Sequence, residues 1–183
     1  MLPEVIQTGR LVLRPWSLDD AGDVFLYAND GEWSRYLRIA QPYSLEDARK
    51  FITSQLLLNR QEHPSWAIEH EARAVGGINL RLLSDLRIGV LGYSIARALW
   101  GRGLATEAAR AIVDAAFDGC PKLACLRALV DARNGASLRV LEKLAMRREG
   151  VLRSHRFSND GLVDEVWCEI SRNEWEAKRA ADR

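Results

Sequence analysis

The sequence predicts a single domain over residues 1–183, with a mixed, largely antiparallel sheet of about seven strands and about four helices on its faces. Three observations predict this α/β class. The length of 183 residues is that of one ordinary domain. Apolar patterns of strand period and helix period alternate along the chain, so helices connect some of the strands. Two strand patterns flank the segment SNDG near the end, which is typical of an antiparallel hairpin.

The first third of the chain predicts one strand followed by two helices. Apolar and charged residues alternate over 10–16 (RLVLRPW), which is the period of a half-buried strand. A helix is expected over 17–30, because Ser17 can cap it and acidic residues fill its first turn. A second helix is expected over 44–60, where Ser44 is followed three positions later by an acid, as in a capping box.

The middle of the chain predicts three neighbouring strands. The segments over 65–70 (SWAIEH) and 74–83 (AVGGINLRLL) have strand patterns and are joined by a short charged turn. The segment over 87–96 (RIGVLGYSIA) is nearly free of charge. Strands of that composition are typical of the middle of a sheet, where both faces are covered. We therefore expect this strand to be central.

A long amphipathic helix is predicted over 104–117. Its apolar residues form one broad stripe, which is suited to packing on a sheet. Gly119 and Pro121 follow directly and are typical of a helix end.

The last part of the chain predicts a strand, a helix and a hairpin. An apolar strand is expected over 123–132 and a short helix over 134–146. The segments over 147–157 and 162–170 form the predicted hairpin. The tail after Trp175 is rich in charge, and we expect it to fray.

The composition disfavours several classes of partner. Lys and Arg total 26 and Asp and Glu total 25, so the net charge of +1 indicates neither nucleic-acid binding nor adsorption to a membrane. The first ten residues lack the apolar core of a secretory signal, and no apolar run approaches the roughly 18 residues needed to span a bilayer. The three cysteines lack CxxC spacing and the three histidines lack metal-ligand spacing. We expect a cytoplasmic protein without a metal or disulfides.

A glycine-containing loop stands directly before the helix over 104–117. Gly101, Arg102 and Gly103 occupy the positions where a capping side chain is usual. A helix N-terminus presents unpaired N–H groups and a partial positive charge, and glycine lets an anion approach them closely. A bound anion is therefore one interpretation, and a tight strand–helix turn is the other. The loop lacks the Lys-Ser or Lys-Thr of a Walker loop and the last glycine of a dinucleotide fingerprint.

Several motifs resemble the GNAT superfamily of N-acetyltransferases. The resemblance is carried by GYSIARALWGRGLATEAARAIVDAAF over 92–117 and VDARNGASLRVLEKL over 130–144. The segments GRLVLRPWSLDDA, YSLEDARKFI and SNDGLVDEVWCEISRNEW resemble its branch of ribosomal-protein N-terminal alanine acetyltransferases. The similarity covers nearly the whole chain in the right order. It implies a GNAT-like fold, whose sheet splays into a V-shaped slot, and an activity that depends on acetyl-CoA.

The resemblance also implies where acetyl-CoA binds. The family loop has the pattern Gln/Arg-x-x-Gly-x-Gly/Ala, which Gly103 and Ala105 match, whereas Trp100 stands in place of Gln/Arg. The N–H groups of the loop would hold the pyrophosphate, and the preceding strand would pair with the pantetheine amides. The implied cofactor contacts are Tyr93, Ser94, Ile95, Gly101, Arg102, Gly103, Leu104, Ala105, Thr106, Asn134 and Ser137. The alternative for Arg102 is a solvated loop residue without a ligand contact. The alternative for Asn134 is a purely structural helix cap.

The implied reaction is direct transfer of an acetyl group from a thioester to an amine. By resemblance, the Tyr93 N–H stabilises the oxyanion and Ser137 assists the departing thiolate; the alternative for Ser137 is a structural serine in the first turn of a helix. Asp164 stands where this branch often has an aspartate after the hairpin glycine, and it is the predicted base; anchoring the hairpin is the alternative. Two other family positions depart from the pattern, since Val90 replaces an acid and Leu141 replaces a tyrosine.

The acceptor pocket is expected between the first two helices and the final hairpin. Trp16, Trp33, Arg35 and Tyr36 are the predicted lining residues, and core packing is the alternative for the aromatic ones. By resemblance the acceptor is the N-terminal α-amine of a ribosomal or other protein. A small-molecule amine, such as an antibiotic or a polyamine, is an alternative, and so is a non-catalytic acyl-CoA-binding module. We expect a monomer or a homodimer.

Overall fold

The computed structural model describes residues 2–37, 39, 41–83, 85–158 and 161–181, and an eight-stranded sheet runs through this part of the chain. Its strands are β1 (Ile6–Gln7), β2 (Val12–Arg14), β3 (Ser65–His70), β4 (Arg73–Leu83), β5 (Ile88–Ile95), β6 (Cys125–Asp131), β7 (Arg147–Ser158) and β8 (Gly161–Ser171). They lie in the order β1-β2-β3-β4-β5-β6-β8-β7. The β5–β6 pair is parallel and the other neighbouring pairs are antiparallel. The predicted mixed, largely antiparallel sheet is confirmed, and β5 is central.

The helices of the described residues are α1 (Ala21–Ala28), α2 (Gly31–Ser34), α3 (Leu45–Leu56), α4 (Leu104–Gly119), α5 (Gly135–Lys143) and α6 (Arg172–Ala181), with 3-10 turns at Leu18–Asp20 and Arg97–Leu99. The helix expected over 17–30 is present as the first 3-10 turn and α1, and it ends at Ala28. Asp30 then caps the separate helix α2, because its carboxylate accepts hydrogen bonds from the N–H groups of Glu32 and Trp33. Helix α3 begins after Ser44, and Ser44 and Asp47 form both hydrogen bonds of the predicted capping box.

Helix α6 was not predicted, because half of its residues are charged and it shows no clear apolar stripe. It is held by Trp175, which is 7% exposed and stacks on Phe117 with 5.0 Å between ring centroids. The Trp175 indole also donates a hydrogen bond to Asp114 at 2.7 Å. The segment after Trp175, for which charge predicts fraying, is helical through Ala181. None of the helices in the described ranges is long and apolar enough to cross a membrane.

Two apolar cores lie on opposite faces of the sheet. Ala67 and Ile68 are neighbours on β3, so their side chains point to opposite faces, and they belong to different cores. The predicted stripe of α4 is buried in the core that contains Ile68: Leu104, Ala108, Ala109, Ile112, Val113 and Ala116. The smaller core contains Trp16 and Ile52 and lies under α1 and α3. Helices therefore cover both faces.

The sheet opens between β5 and β6. The two strands pair only over Ile88–Val90 of β5, although β5 continues to Ile95 and β6 to Asp131. The opening therefore lies between the carboxyl ends of the two strands, and the V-shaped slot implied by the resemblance is present. Helix α4 follows β5 and helix α5 follows β6, so both helices begin near this slot.

Candidate active site

Two cavities meet where β5 and β6 diverge. The smaller has a volume of about 370 Å³ and lies among the end of β5, the loop before α4 and the first turns of α5. The larger has a volume of about 660 Å³ and lies among α1, α3, the sheet and the β7–β8 hairpin. The residues that line both are Trp33, Tyr36, Leu37, Tyr93, Ser94, Asn134 and Ser137. Ligands bound in the two cavities would meet at this shared wall.

The loop before α4 presents free backbone donors to the smaller cavity. Gly101 and Gly103 have φ angles of 76° and 78°, in the left-handed region that favours glycine. No side chain caps α4, and among the described residues none accepts a hydrogen bond from the backbone N–H groups of 101–106. Gly101, Gly103, Leu104, Ala105 and Thr106 line the cavity. A helix N-terminus with so many unpaired amides is suited to binding a diphosphate.

Residues near the N-terminus hold this loop in place. Arg10 donates hydrogen bonds from Nη1 to the Arg102 carbonyl at 2.9 Å and from Nε to Glu107 Oε2 at 2.7 Å. The Thr8 hydroxyl and the Arg10 backbone N–H both donate to Glu107 Oε1, at 2.6 and 2.8 Å. Burial raises the pKa of Glu107, but these hydrogen bonds and the charge of Arg10 outweigh it and keep the pKa below its ordinary value. The carboxylate is therefore charged at neutral pH, and the loop is fixed before a ligand binds.

Replacing Glu107 with glutamine is expected to raise the dissociation constant of coenzyme A about fivefold. A neutral amide cannot pair with Arg10, so part of the binding free energy is used to order the loop. Calorimetric titration measures the change. Asp118→Asn is the matched control, because Asp118 pairs with Arg179 at the other end of α4. Equal weakening in the two variants would contradict the role assigned to Glu107.

The divergence of the strands leaves the backbone of Tyr93 facing the slot. The Ala96 N–H donates to the Val75 carbonyl at 2.7 Å, and hydrogen-bonded pairs alternate from there along β4 and β5. Ser94 therefore bonds to β4, whereas the N–H and C=O of Tyr93 point toward the β6 side. Since pairing with β6 ends at Val90, those groups open on the slot. The Tyr93 N–H is thus placed to donate to a carbonyl oxygen.

Ser94 and Ile95 contribute less backbone to the slot than the resemblance implies. The backbone of Ser94 is engaged with β4, although the residue lines both cavities. The Ile95 carbonyl faces the slot but already accepts a hydrogen bond from the Trp100 indole at 2.8 Å. Trp100 stands where the loop pattern has Gln or Arg, and it lines the smaller cavity. A ligand in the slot can therefore form hydrogen bonds with the backbone N–H and C=O of Tyr93 and with the backbone N–H of Ile95.

The hydroxyl groups of Tyr93 and Ser137 form a hydrogen-bonded pair at the shared wall of the cavities. The Asn134 side chain accepts a hydrogen bond from the Ser137 N–H at 3.0 Å, which caps α5 and fixes Ser137 in its first turn. The Tyr93 hydroxyl lies 2.9 Å from Ser137 Oγ. Burial raises the pKa of Tyr93 to about 12, against a smaller lowering by the Ser137 hydrogen bond. The phenol therefore keeps its proton throughout the neutral range.

Basic side chains of α5 also line the smaller cavity. Arg139 and Lys143 stand one helical turn apart, a spacing that places them on the same face of α5. Their positive charge suits a phosphorylated ligand, and their i, i+4 spacing is the sequence signal that could have found them. The exposed Arg102 side chain, which was predicted to contact a phosphate, lines neither cavity. Its carbonyl serves the loop instead, as the acceptor for Arg10.

Aromatic residues form one wall of the larger cavity. Trp16, Trp33 and Tyr36, the aromatic residues expected at the acceptor pocket, line this cavity. Trp16 and Trp33 are also core residues, at 5% and 8% exposed. They therefore pack in the core and line the cavity at the same time. Arg35 lines neither cavity, because its guanidinium lies over the Tyr36 ring and 3.6 Å from Glu32.

The two carboxylates that line the larger cavity, within the described part of the chain, are both held by arginines. Asp131 pairs with Arg133 at 2.9 Å, and hydrogen bonds from Arg133 keep the pKa of Asp131 below its ordinary value. Glu165 pairs with Arg156 at 2.7 Å and with His155 at 2.7 Å. Neither carboxylate offers a free negative charge to a ligand.

Asp164, the predicted base, does not line either cavity. Strand alternation turns its exposed side chain away from the face that carries Glu165. The Asp164 carboxylate instead accepts a hydrogen bond from the Ser154 N–H at 2.8 Å. Ser154 has a φ of 49° and lies in an irregular stretch of β7, between Leu152 and Arg156, where the register with β8 shifts. This placement removes the geometric basis for a catalytic Asp164 and agrees with its alternative role as a hairpin anchor.

A helix N-terminus rich in free amides, beside a strand edge and a second cavity, is the arrangement expected of an enzyme that transfers an acyl group from coenzyme A. The chain belongs to the GNAT family, since residues 10–147 match the family model described as an acetyltransferase (GNAT) domain. It is an acetyltransferase with acetyl-CoA as its cosubstrate.

Known relatives agree with this assignment. The uncharacterized N-acetyltransferase p20 of Bacillus licheniformis is 29% identical over 176 residues, covering 94% of this chain and 98% of p20. An acetyltransferase structure from T. thermophilus superposes with a TM-score of 0.86 at 27% identity, covering 99% of this chain and 96% of that one. RimL, a ribosomal L7/L12 α-N-protein acetyltransferase crystallised with coenzyme A, shares the fold with a TM-score of 0.81 at 16% identity, covering 93% and 99% of the two chains.

Proposed function

We propose that this enzyme acetylates the N-terminal α-amine of a protein or peptide. The observation that carries the proposal is the meeting of the two cavities at Tyr93 and Ser137. A thioester whose diphosphate lies at the α4 N-terminus would place its acetyl group there. An amine entering from the larger cavity would then face the thioester carbon.

The chain's own residues supply the stabilisation that this transfer needs. As the C–N bond forms, the carbonyl oxygen becomes an oxyanion, and the Tyr93 N–H donates to it. As the C–S bond breaks, Ser137 Oγ donates a hydrogen bond to the thiolate, supported by the Tyr93 hydroxyl. A thiol has an ordinary pKa of about 8.5, well below the value of about 12 for Tyr93. The phenol therefore stabilises the thiolate by hydrogen bonding, and the proton released by the amine finally neutralises it.

The absence of a free carboxylate in the larger cavity favours an α-amine over a lysine side chain. This concerns the described residues, where Asp131 and Glu165 are both held by arginines. An α-amino group has a pKa near 7.8, so roughly one in ten is uncharged at pH 7 without help from a base. A lysine amine has a pKa near 10.4, so fewer than one in a thousand is uncharged at that pH. A site without a dedicated base therefore suits an α-amine and does not suit a lysine side chain.

Two further observations support a peptide as the acceptor. The volume of about 660 Å³ is that of a cavity for a sizeable ligand. The opening, middle and closing segments of the sequence resemble the ribosomal-protein branch, and RimL has the same fold. A polyamine is a poorer fit, because it needs free carboxylates for its additional charges.

A peptide with a free N-terminus is expected to be acetylated with a kcat/KM that rises about tenfold per pH unit and levels off near pH 8. The rise follows deprotonation of the peptide's own α-amine. Mass spectrometry of the products and thiol release from acetyl-CoA measure the reaction. A peptide with a blocked N-terminus and one internal lysine is the control, and we expect it to react at least a hundredfold more slowly at pH 7. Equal rates for the two peptides, or a plateau reached below pH 6, would contradict the proposal.

A further inference from the structure

We propose that His63 and Arg81 form an anion-binding subsite at the far end of the larger cavity, which selects acceptors that carry an acidic group near their N-terminus. The inference deepens the proposed function and rests on it. Both residues line the cavity, and neither belongs to the shared wall where transfer occurs.

The sheet register makes His63 and Arg81 neighbours. Ser65 pairs with Asn79 at the start of β3, and the hydrogen bonds continue before it, from Leu80 N–H to the Pro64 carbonyl at 3.0 Å and from Leu82 N–H to the Glu62 carbonyl at 2.7 Å. His63 therefore stands opposite Arg81 in a non-hydrogen-bonded position. Side chains at such positions have Cβ atoms about 4.5–5.5 Å apart and point to the same face.

Arg81 carries a positive charge that no acidic side chain of the described residues neutralises. The other arginine lining this cavity, Arg156, pairs with Glu165, and the cavity carboxylate Asp131 pairs with Arg133. Within the described residues, no carboxylate forms an ion pair with Arg81, and no side-chain hydrogen bond engages His63. Because the carboxylates are already neutralised, the unmatched charge of this cavity is positive. Such a wall attracts an anion and repels a second ammonium group.

The register also sets how far the acidic group lies from the reacting amine. Arg81 pairs with Val90 on β5, and Tyr93 is three residues further along that strand. At about 3.3 Å per residue, the backbone positions of the subsite and of the transfer point are about 10 Å apart. An extended peptide covers that distance in about three residues. The subsite therefore fits a glutamate or aspartate at about the third position of the acceptor.

The test compares peptides that differ only by glutamate or glutamine at the second, third or fourth position, with the same free N-terminus. For the parent enzyme, kcat/KM is expected to be about tenfold higher for the glutamate form at the best position, as a charge-assisted hydrogen bond provides. In Arg81→Ala this glutamate-to-glutamine ratio should fall to about one, and in Arg81→Lys it should stay above the ratio of the alanine variant. Arg49→Ala is the control, because Arg49 is exposed on α3 and does not line the cavity. It should keep the parent ratio.

The outcomes separate this inference from the proposed function. Efficient acetylation of all the peptides, with no preference for glutamate, would overturn the subsite and leave the proposed function standing. A preference that survives in Arg81→Ala would also overturn it. Acetylation of none of the peptides by an enzyme that binds coenzyme A would overturn both. Thermal unfolding of Arg81→Ala at the parent temperature shows that a lost preference does not come from a damaged fold.

Discussion

Replacing Gly103 with valine is expected to weaken the binding of coenzyme A about a hundredfold. Gly103 has a φ of 78°, and a side chain in the left-handed region costs roughly 1–2 kcal/mol, more for a β-branched residue. If the backbone leaves that region to relieve the strain, the N–H groups at the start of α4 no longer converge on one point. Each charge-assisted hydrogen bond lost is worth about 1.5–3 kcal/mol, so the two effects together reach this size. Calorimetric titration with coenzyme A measures the loss.

The control for this variant is Gly22→Ala. Gly22 lies in helix α1, and a Cβ atom added there would have open space around it. Coenzyme A should bind to this variant as it does to the parent. If Gly103→Val also binds coenzyme A with the parent affinity, the loop is a turn and not the site of the diphosphate.

Replacing Ser137 with alanine is expected to lower kcat between tenfold and a hundredfold, with little change in coenzyme A affinity. The hydroxyl is needed when the thiolate departs, and a hydrogen bond to a developing charge is worth about 1.5–3 kcal/mol. Tyr93→Phe should lose less, about tenfold, because the phenol acts through Ser137. The two hydroxyls are hydrogen-bonded, so the double variant should lose little more than Ser137→Ala alone. Single-turnover thiol release at saturating acetyl-CoA measures kcat for all three variants.

Asp164→Asn is the matched control for the Ser137 series. Its carboxylate holds the Ser154 N–H and lines neither cavity, so kcat should change less than threefold. A loss below threefold in Ser137→Ala would remove Ser137 from the mechanism. A loss of kcat in Asp164→Asn as large as in Ser137→Ala would show that Asp164 takes part in catalysis.

Much of the fold could be predicted because its signals are local. The stripe of α4, the capping box at Ser44 and the uncharged central strand each depend on residues close together in the chain. The elements that were missed lack such signals. Strand β1 has only two residues, and α6 is a charged helix whose stability comes from Trp175 packing on the distant Phe117.

The features of the candidate site also differ in whether local sequence could predict them. The glycine loop could be found because glycine at the start of a helix is unusual in itself. The hydrogen bonds between Arg10 and Glu107 that hold this loop could not be predicted, since 97 positions separate the two residues and only the fold brings them together. The position of Asp164 could not be predicted for a related reason: neighbouring residues of a strand face opposite sides, and a motif alone does not show which of Asp164 and Glu165 faces the cavity.

The central claim is that the free amides from Gly101 to Thr106 hold the diphosphate of coenzyme A. A titration of the ¹⁵N-labelled protein followed by amide chemical shifts tests this most directly, with pantetheine, which lacks the diphosphate, as the comparison. The account predicts that the signals of residues 101–106 shift with coenzyme A and hardly move with pantetheine, while Tyr93 responds to both. Shifts confined to another surface, or no difference between the two ligands at residues 101–106, would contradict it.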